Sequence, residues 1–137
     1  MSTPVSEIYD IFLKQVGKDI LLELPNEIVE DLLFTYLEGA TVEFPECDKD
    51  LSINENSIVS DLSLEEKYIL SRGMILYWLQ PKILTQEVIK NRITDGDYTL
   101  KSSANLLNNL LKLKESSETD FNRRKVRYSY KGKNING

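Results

Sequence analysis

The chain has 137 residues, 41% of them apolar, with one cysteine, no histidine and a formal net charge of -5. That size suits a single domain with its own core; the lone Cys47 excludes an internal disulfide, and the missing histidine removes the commonest general base and zinc ligand. No apolar run approaches the roughly 18 residues of a membrane span, and the opening MSTPVSEIYD lacks the basic and apolar regions of a secretory leader, so a soluble intracellular protein with no membrane partner is expected.

The first predicted helix starts with Thr3 as N-cap and Pro4 in the first helical position. Ile8, Ile11, Phe12 and Val16 recur at helical spacing, Tyr9 and Leu13 widen the stripe, and Gly17 ends it. A second helix is predicted from Pro25 to about Gly39, with Glu27, Glu30 and Asp31 in its first two turns, where they complement the helix dipole. Residues 45 to 61 are polar and aperiodic. They predict a long loop that is either mobile or functional, and a second contact surface is expected there.

Ser63 and Glu66 form the capping box of a third helix. From Tyr68 to Leu79 this helix is apolar on nearly every side, Trp78 included, so it is expected to be the central one. Pro81 should end or kink it at Gln80. A short helix capped by Thr85 and carrying Val88, Ile89 and Ile93 follows, and Thr94-Asp95-Gly96-Asp97 reads as a turn. The fourth long helix is predicted from Ser102 or Ser103, with Leu106, Leu107, Leu110, Leu111 and Leu113 as its apolar face and Asn105, Asn108 and Asn109 on the wet side. The leucines span too few heptads for a coiled-coil seam, which favours packing within the domain over self-association. The leucine pattern stops at Leu113, and SSETD weakens the helix or marks its polar part. The ending KGKNING has almost no core residues and is expected to lack order in isolation. No strand and no internal repeat is predicted.

Charge is divided along the chain. Residues 1 to 70 hold four lysines against 16 acidic residues; residues 71 to 137 hold 13 basic residues against six acidic ones. A chain acidic in one half and basic in the other can attract copies of itself head to tail, or offer different faces to two partners.

Motifs for chemistry are weak. Asp95-Gly96-Asp97 does not start a calcium loop, because the twelfth position is Leu106. Glu65-Glu66 and Asp48-Asp50 read as solvated pairs with no partner base. Phosphate-binding glycine loops and nucleophile elbows are missing from the sequence. No enzyme activity, no catalytic residue, no metal and no cofactor is expected. The tail stands out: Arg123, Arg124, Lys125, Arg127, Lys131 and Lys133 alternate with Tyr128 and Tyr130. Basic residues among aromatics suit phosphate contacts and stacking. They equally suit a protein interface, and Arg127-Tyr128-Ser129-Tyr130 also fits an extended strand added to a partner's sheet edge. A merely solubilising terminus is the plain alternative.

Four stretches together resemble a known family. They are VSEIYDIFLKQV, LPNEIVEDLLFTYLEGA, LSLEEKYILSRGMILYWLQPKI, and the ending from DYTLKSSANLLNNLLKLKESS to VRYSYKG. Together they are similar, over nearly the whole chain, to the head–tail connector (adaptor) proteins of tailed bacteriophages. The resemblance implies a non-enzymatic virion protein of the neck, assembled in the host cytoplasm. It implies a homo-oligomeric ring, usually of twelve copies, between the portal protein and a downstream neck or tail protein. Such a ring extends the channel for double-stranded DNA without sequence-specific binding. It further implies that Arg127 to Gly132 reaches the portal.

The expectation is therefore an all-α fold, a small bundle of about four main helices with an extended C-terminal tail. Residues 1–122 form the bundle and residues 123–137 a basic, aromatic docking tail. Arg123, Arg124, Arg127, Tyr128, Tyr130 and Lys131 are the expected contacts to the portal or a neighbouring subunit. The alternative is a small helical nucleic-acid-binding or regulatory protein that uses the same tail.

Overall fold

Apolar residues at helical spacing organise the described residues into four helices around one core. The computed structural model describes residues 2–17, 25–92 and 97–135, with side chains described except at 88–92, 97–104 and 131–135. Helix α1 spans Val5–Val16, α2 Asn26–Val42, α3 Leu64–Arg92 and α4 Asp97–Ile135. The fold is all-α, as the periodicity predicts.

Among the described residues there are also three two-residue strands, which no periodicity announces. They are β1 (Thr3–Pro4), β2 (Ile53–Asn54) and β3 (Ser57–Ile58), antiparallel in the order β1-β3-β2. Thr3 is therefore no N-cap. It is buried, its Oγ1 donates to Ser60 O at 2.8 Å, and it accepts the Leu62 N–H at 2.8 Å. A hydroxyl used across the fold is unavailable to the helix beside it, and Pro4 occupies the cap position instead. The predicted loop 45–61 is thus held in place. Its hairpin tip bonds through Asn56 O to the Val5 N–H, and Ile58 is fully buried.

α1 ends as its sequence predicts, at Gly17 with φ of 92°, a left-handed conformation natural to glycine. α1 and α2 pack on α3, and Phe12 meets Tyr36 and Trp78 with ring centroids 6.0 and 6.4 Å apart. α3 is central, and Ile69, Leu70, Met74 and Leu79 have no accessible surface. Gly73 lets α2 and α4 approach it closely: a Cβ there would lie 2.9 Å from the Ala40 Cβ and 3.2 Å from the Phe121 ring.

α3 runs through Pro81 without a break, so the predicted stop at Gln80 and the separate helix from Thr85 merge into it. The proline costs one backbone bond. It sits on the exposed side while Leu79 and Ile83, two residues to either side, are buried, and that burial outweighs the loss. Thr85 Oγ1 donates to Pro81 O at 2.8 Å and caps no new helix. Residues 94–96 of the predicted turn, the side chains of Val88 and Ile89, and all of Ile93 lie outside the described residues.

α4 begins at Asp97, ahead of the predicted Ser102, and does not weaken at SSETD. Leu107, Leu110, Lys114, Ser117, Phe121, Arg124 and Tyr128 follow one another at alternating steps of three and four, and all are buried or half-buried. This stripe lays α4 antiparallel against α3. Arg72 Nε meets Asp120 at 3.1 Å, Tyr68 lies under Arg124 at 6.0 Å, and Glu66 meets Tyr128. Of the predicted leucine face, Leu107 is buried and Leu110 half-buried, while Leu106, Leu111 and Leu113 are exposed; the three asparagines are exposed as expected.

Candidate assembly surface on the last helix

The extended tail predicted from residue 123 is helical. α4 continues to Ile135, so the four residues Arg127 to Tyr130 form no strand. The backbone choice has a physical cause: each turn from Ser117 to Tyr128 presents a residue to the body, and only a helix repeats that presentation.

The helix splits the predicted contact residues between two faces. The inner face is held by Tyr128. Its ring stands edge-on to Phe44, with centroids 5.2 Å apart. Its hydroxyl hydrogen is shared between Glu66 Oε2 at 2.6 Å and Asp48 Oδ1 at 2.9 Å. Burial, then the bonds to Glu66 and Asp48, push this hydroxyl far above the usual phenol range, so it stays protonated and donates. Arg124 lies half-buried, with its Nε 2.8 Å from Asp120. Lys125 Nζ donates to Glu43 O at 2.9 Å.

Glu66 is the hub of this contact. It is 2% exposed, contrary to the solvated carboxylate expected for Glu65-Glu66. Ser63 and Glu66 do form the predicted capping box: the Ser63 N–H reaches Glu66 Oε1 at 2.7 Å and the Glu66 N–H reaches Ser63 Oγ at 3.2 Å. The same Oε1 takes Lys49 Nζ at 2.7 Å. Burial pushes the Glu66 carboxyl up, but Lys49, Tyr128 and Ser63 outweigh it and hold the group below the usual range. One side chain thus ties the loop at Lys49, the start of α3 and the end of α4.

Cys47 Sγ and carboxylate oxygens of Asp48 and Glu66 lie within 4.8 Å of one another, a spread that three metal ligands can span. A cation there would have to displace the Lys49 ammonium and the Tyr128 hydroxyl from Glu66. The arrangement fits a hydrogen-bonded hub better than a ligand set. Burial, with the fields of Glu66 and Asp48, pushes the Cys47 thiol up against the opposing bonds from the Lys49 backbone and Tyr128.

The outer face is different. Arg123, Val126, Arg127 and Tyr130 are exposed, Val126 by 52% and Tyr130 by 61%. Among the described residues, Arg123 and Arg127 form no ion pair. Arg123, Arg127 and Tyr130 succeed one another at steps of four and three, which places them on one side of the helix. The side chain of Lys131 lies outside the described residues. The structure therefore brings together Arg123, Arg127 and Tyr130 as a free face, and gives Arg124 and Tyr128 to the body.

Sequence reasoning missed Phe44, Asp48 and Glu66 as partners of Tyr128. The capping box predicts that Glu66 turns back toward Ser63, but no local signal names a partner 62 residues away. No helix of the described residues is long and apolar enough to cross a membrane. No family model, no curated protein and no solved structure matches this chain.

Proposed function

We propose that this chain is a structural assembly subunit, a head–tail connector that joins a portal protein to the next neck or tail component of a tailed phage virion. In this reading it works as a ring, of twelve copies as the resemblance implies, around the path of the DNA, and performs no catalysis. The outward face of α4, with Arg123, Arg127 and Tyr130, is the contact to the portal or the neighbouring subunit. The observation that carries the reading is the division of α4: one face is used up in packing, while the other presents exposed guanidinium and phenol groups, the guanidiniums without an ion-pair partner among the described residues. Arginine and tyrosine are favoured anchors at protein interfaces because they combine apolar area with directed hydrogen bonds.

Unpaired guanidinium groups also suit phosphate, which keeps nucleic-acid binding as the second reading. Two measurements separate them. In negative-stain images of portal rings mixed with the protein, the connector reading expects an added layer that is lost with Arg127→Glu. In filter binding to duplex DNA, the nucleic-acid reading expects affinity to fall with salt by a log–log slope of about -0.9 per phosphate contacted. A steep slope together with bare portal rings would move the assignment to nucleic-acid binding.

A further inference from the structure

Between α1 and α2, the tip of the β2–β3 hairpin closes a groove of about 550 Å3. Tyr9 and Phe34 contribute aromatic rings to its lining, and Glu30, Asp31 and Glu55 contribute carboxylates. None of these three carboxylates forms an ion pair with a described residue. Of these carboxylates Glu30 acts on Tyr9: burial first, then the charges of Glu30 and of Glu38, which is not among the lining residues, push the Tyr9 hydroxyl up to about 12. Aromatic rings beside carboxylates are receptor chemistry for a guanidinium group, which stacks on the one and pairs bidentately with the other.

The chain carries a matching ligand that cannot reach its own groove. Arg123 and Arg127 lie on α4, which packs on α3, whereas the groove is built from α1, α2 and the hairpin, with no described α4 side chain in its lining. Carboxylates and guanidiniums with no ion-pair partner among the described residues therefore stand on different elements of one molecule, and a contact between molecules can bring them together.

We propose that the groove between α1 and α2 is the receptor for the Arg123–Tyr130 face of a second copy, so that copies join head to tail. Such a contact is heterologous: each copy added leaves one groove and one basic face open, and the assembly grows until a ring closes it. The inference rests on reading the outer face of α4 as an assembly surface; it names the neighbouring subunit as that face's partner, and the portal is bound by the ring that this contact closes.

Sedimentation velocity of the full-length protein tests it over a concentration series at low and high ionic strength. The wild type should self-associate at low ionic strength and lose that association when salt screens the contact. Asp31→Lys and Arg127→Glu each reverse an exposed charge, so each should stay folded and associate at least about tenfold more weakly. Mixing the two variants is the decisive arm. The Asp31→Lys copy keeps a working basic face and the Arg127→Glu copy a working groove, and the two reversed charges are themselves complementary, so the mixture should regain the association that each variant alone has lost. A wild type that stays monomeric at low ionic strength, variants that associate like the wild type, or a mixture that does not pair would each overturn the inference. Portal binding separates its failure from that of the connector reading. If Arg127→Glu loses portal binding while Asp31→Lys self-associates normally, only the groove assignment falls.

Discussion

Glu66 is the residue on which the end of α4, the start of α3 and the loop before it converge. Its carboxylate is buried but fully satisfied by Lys49, the Ser63 N–H and Tyr128, which is the condition under which a buried charge can be kept. Glu66→Gln should cost on the order of 2–3 kcal/mol at neutral pH, towards the low end because Lys49 is 38% exposed and partly screened. The pH dependence has a definite sign. The folded-state pKa of Glu66 lies below its ordinary value of 4.5, so its stabilisation is present above that value and is lost as pH falls through the lowered one. Melting curves of the wild type and the variant should therefore differ most near neutrality and converge under acid. A gap that stays constant to low pH would show that the carboxylate charge contributes nothing.

Tyr128 and Cys47 offer a second test at the same scale. Cys47 is the only cysteine, is half-buried, and lies 3.8 Å from the Tyr128 hydroxyl. A hydrogen bond to a charged group is worth about 1.5–3 kcal/mol. Tyr128→Ala should thus speed labelling of Cys47 by a disulfide reagent about tenfold or more, while α1–α3 stay folded. Unchanged labelling would mean that the end of α4 does not cover the thiol.

Among the elements, α3 and α4 decide the fold, and their close approach depends on small residues. Gly73→Ala places a methyl group against Ala40 and the Phe121 ring, and should destabilise by about 1–3 kcal/mol in thermal or denaturant unfolding. A neutral result would mean that the helices separate without cost. The existence of α1, α2 and the first half of α3 was legible, because Ile8, Phe12, Leu37, Met74 and Trp78 repeat at helical spacing and fill the core. The course of α4 was not. Its inward stripe passes from leucine to Lys114, Ser117 and Arg124, residues that pattern reading assigns to solvent, and that α3 covers by tertiary contact. The strands escaped notice because two-residue segments carry no period. Pro81 misled because local propensity gives way where the flanking residues are buried. At the candidate site, the basic and aromatic composition was readable at once. The division into a bound and a free face required the helix.

For the whole molecule, the separation of charge matters more than its sum. The net value of -5 hides an acidic first half and a basic second half. The fold leaves Glu30, Asp31 and Glu55 on one groove and Arg123 and Arg127 on a helix with no described side chain in that groove's lining. Opposite charges thus stand exposed on different elements, an arrangement that suits the proposed subunit between two unlike neighbours. The measurement closest to the central claim is a binding titration of portal rings with full-length protein, wild type against the double variant Arg123→Glu/Arg127→Glu. A connector should give saturable binding by the wild type and at least about a tenfold loss by the variant, with melting temperatures alike because both positions are exposed. Equal binding by the two proteins would contradict that claim.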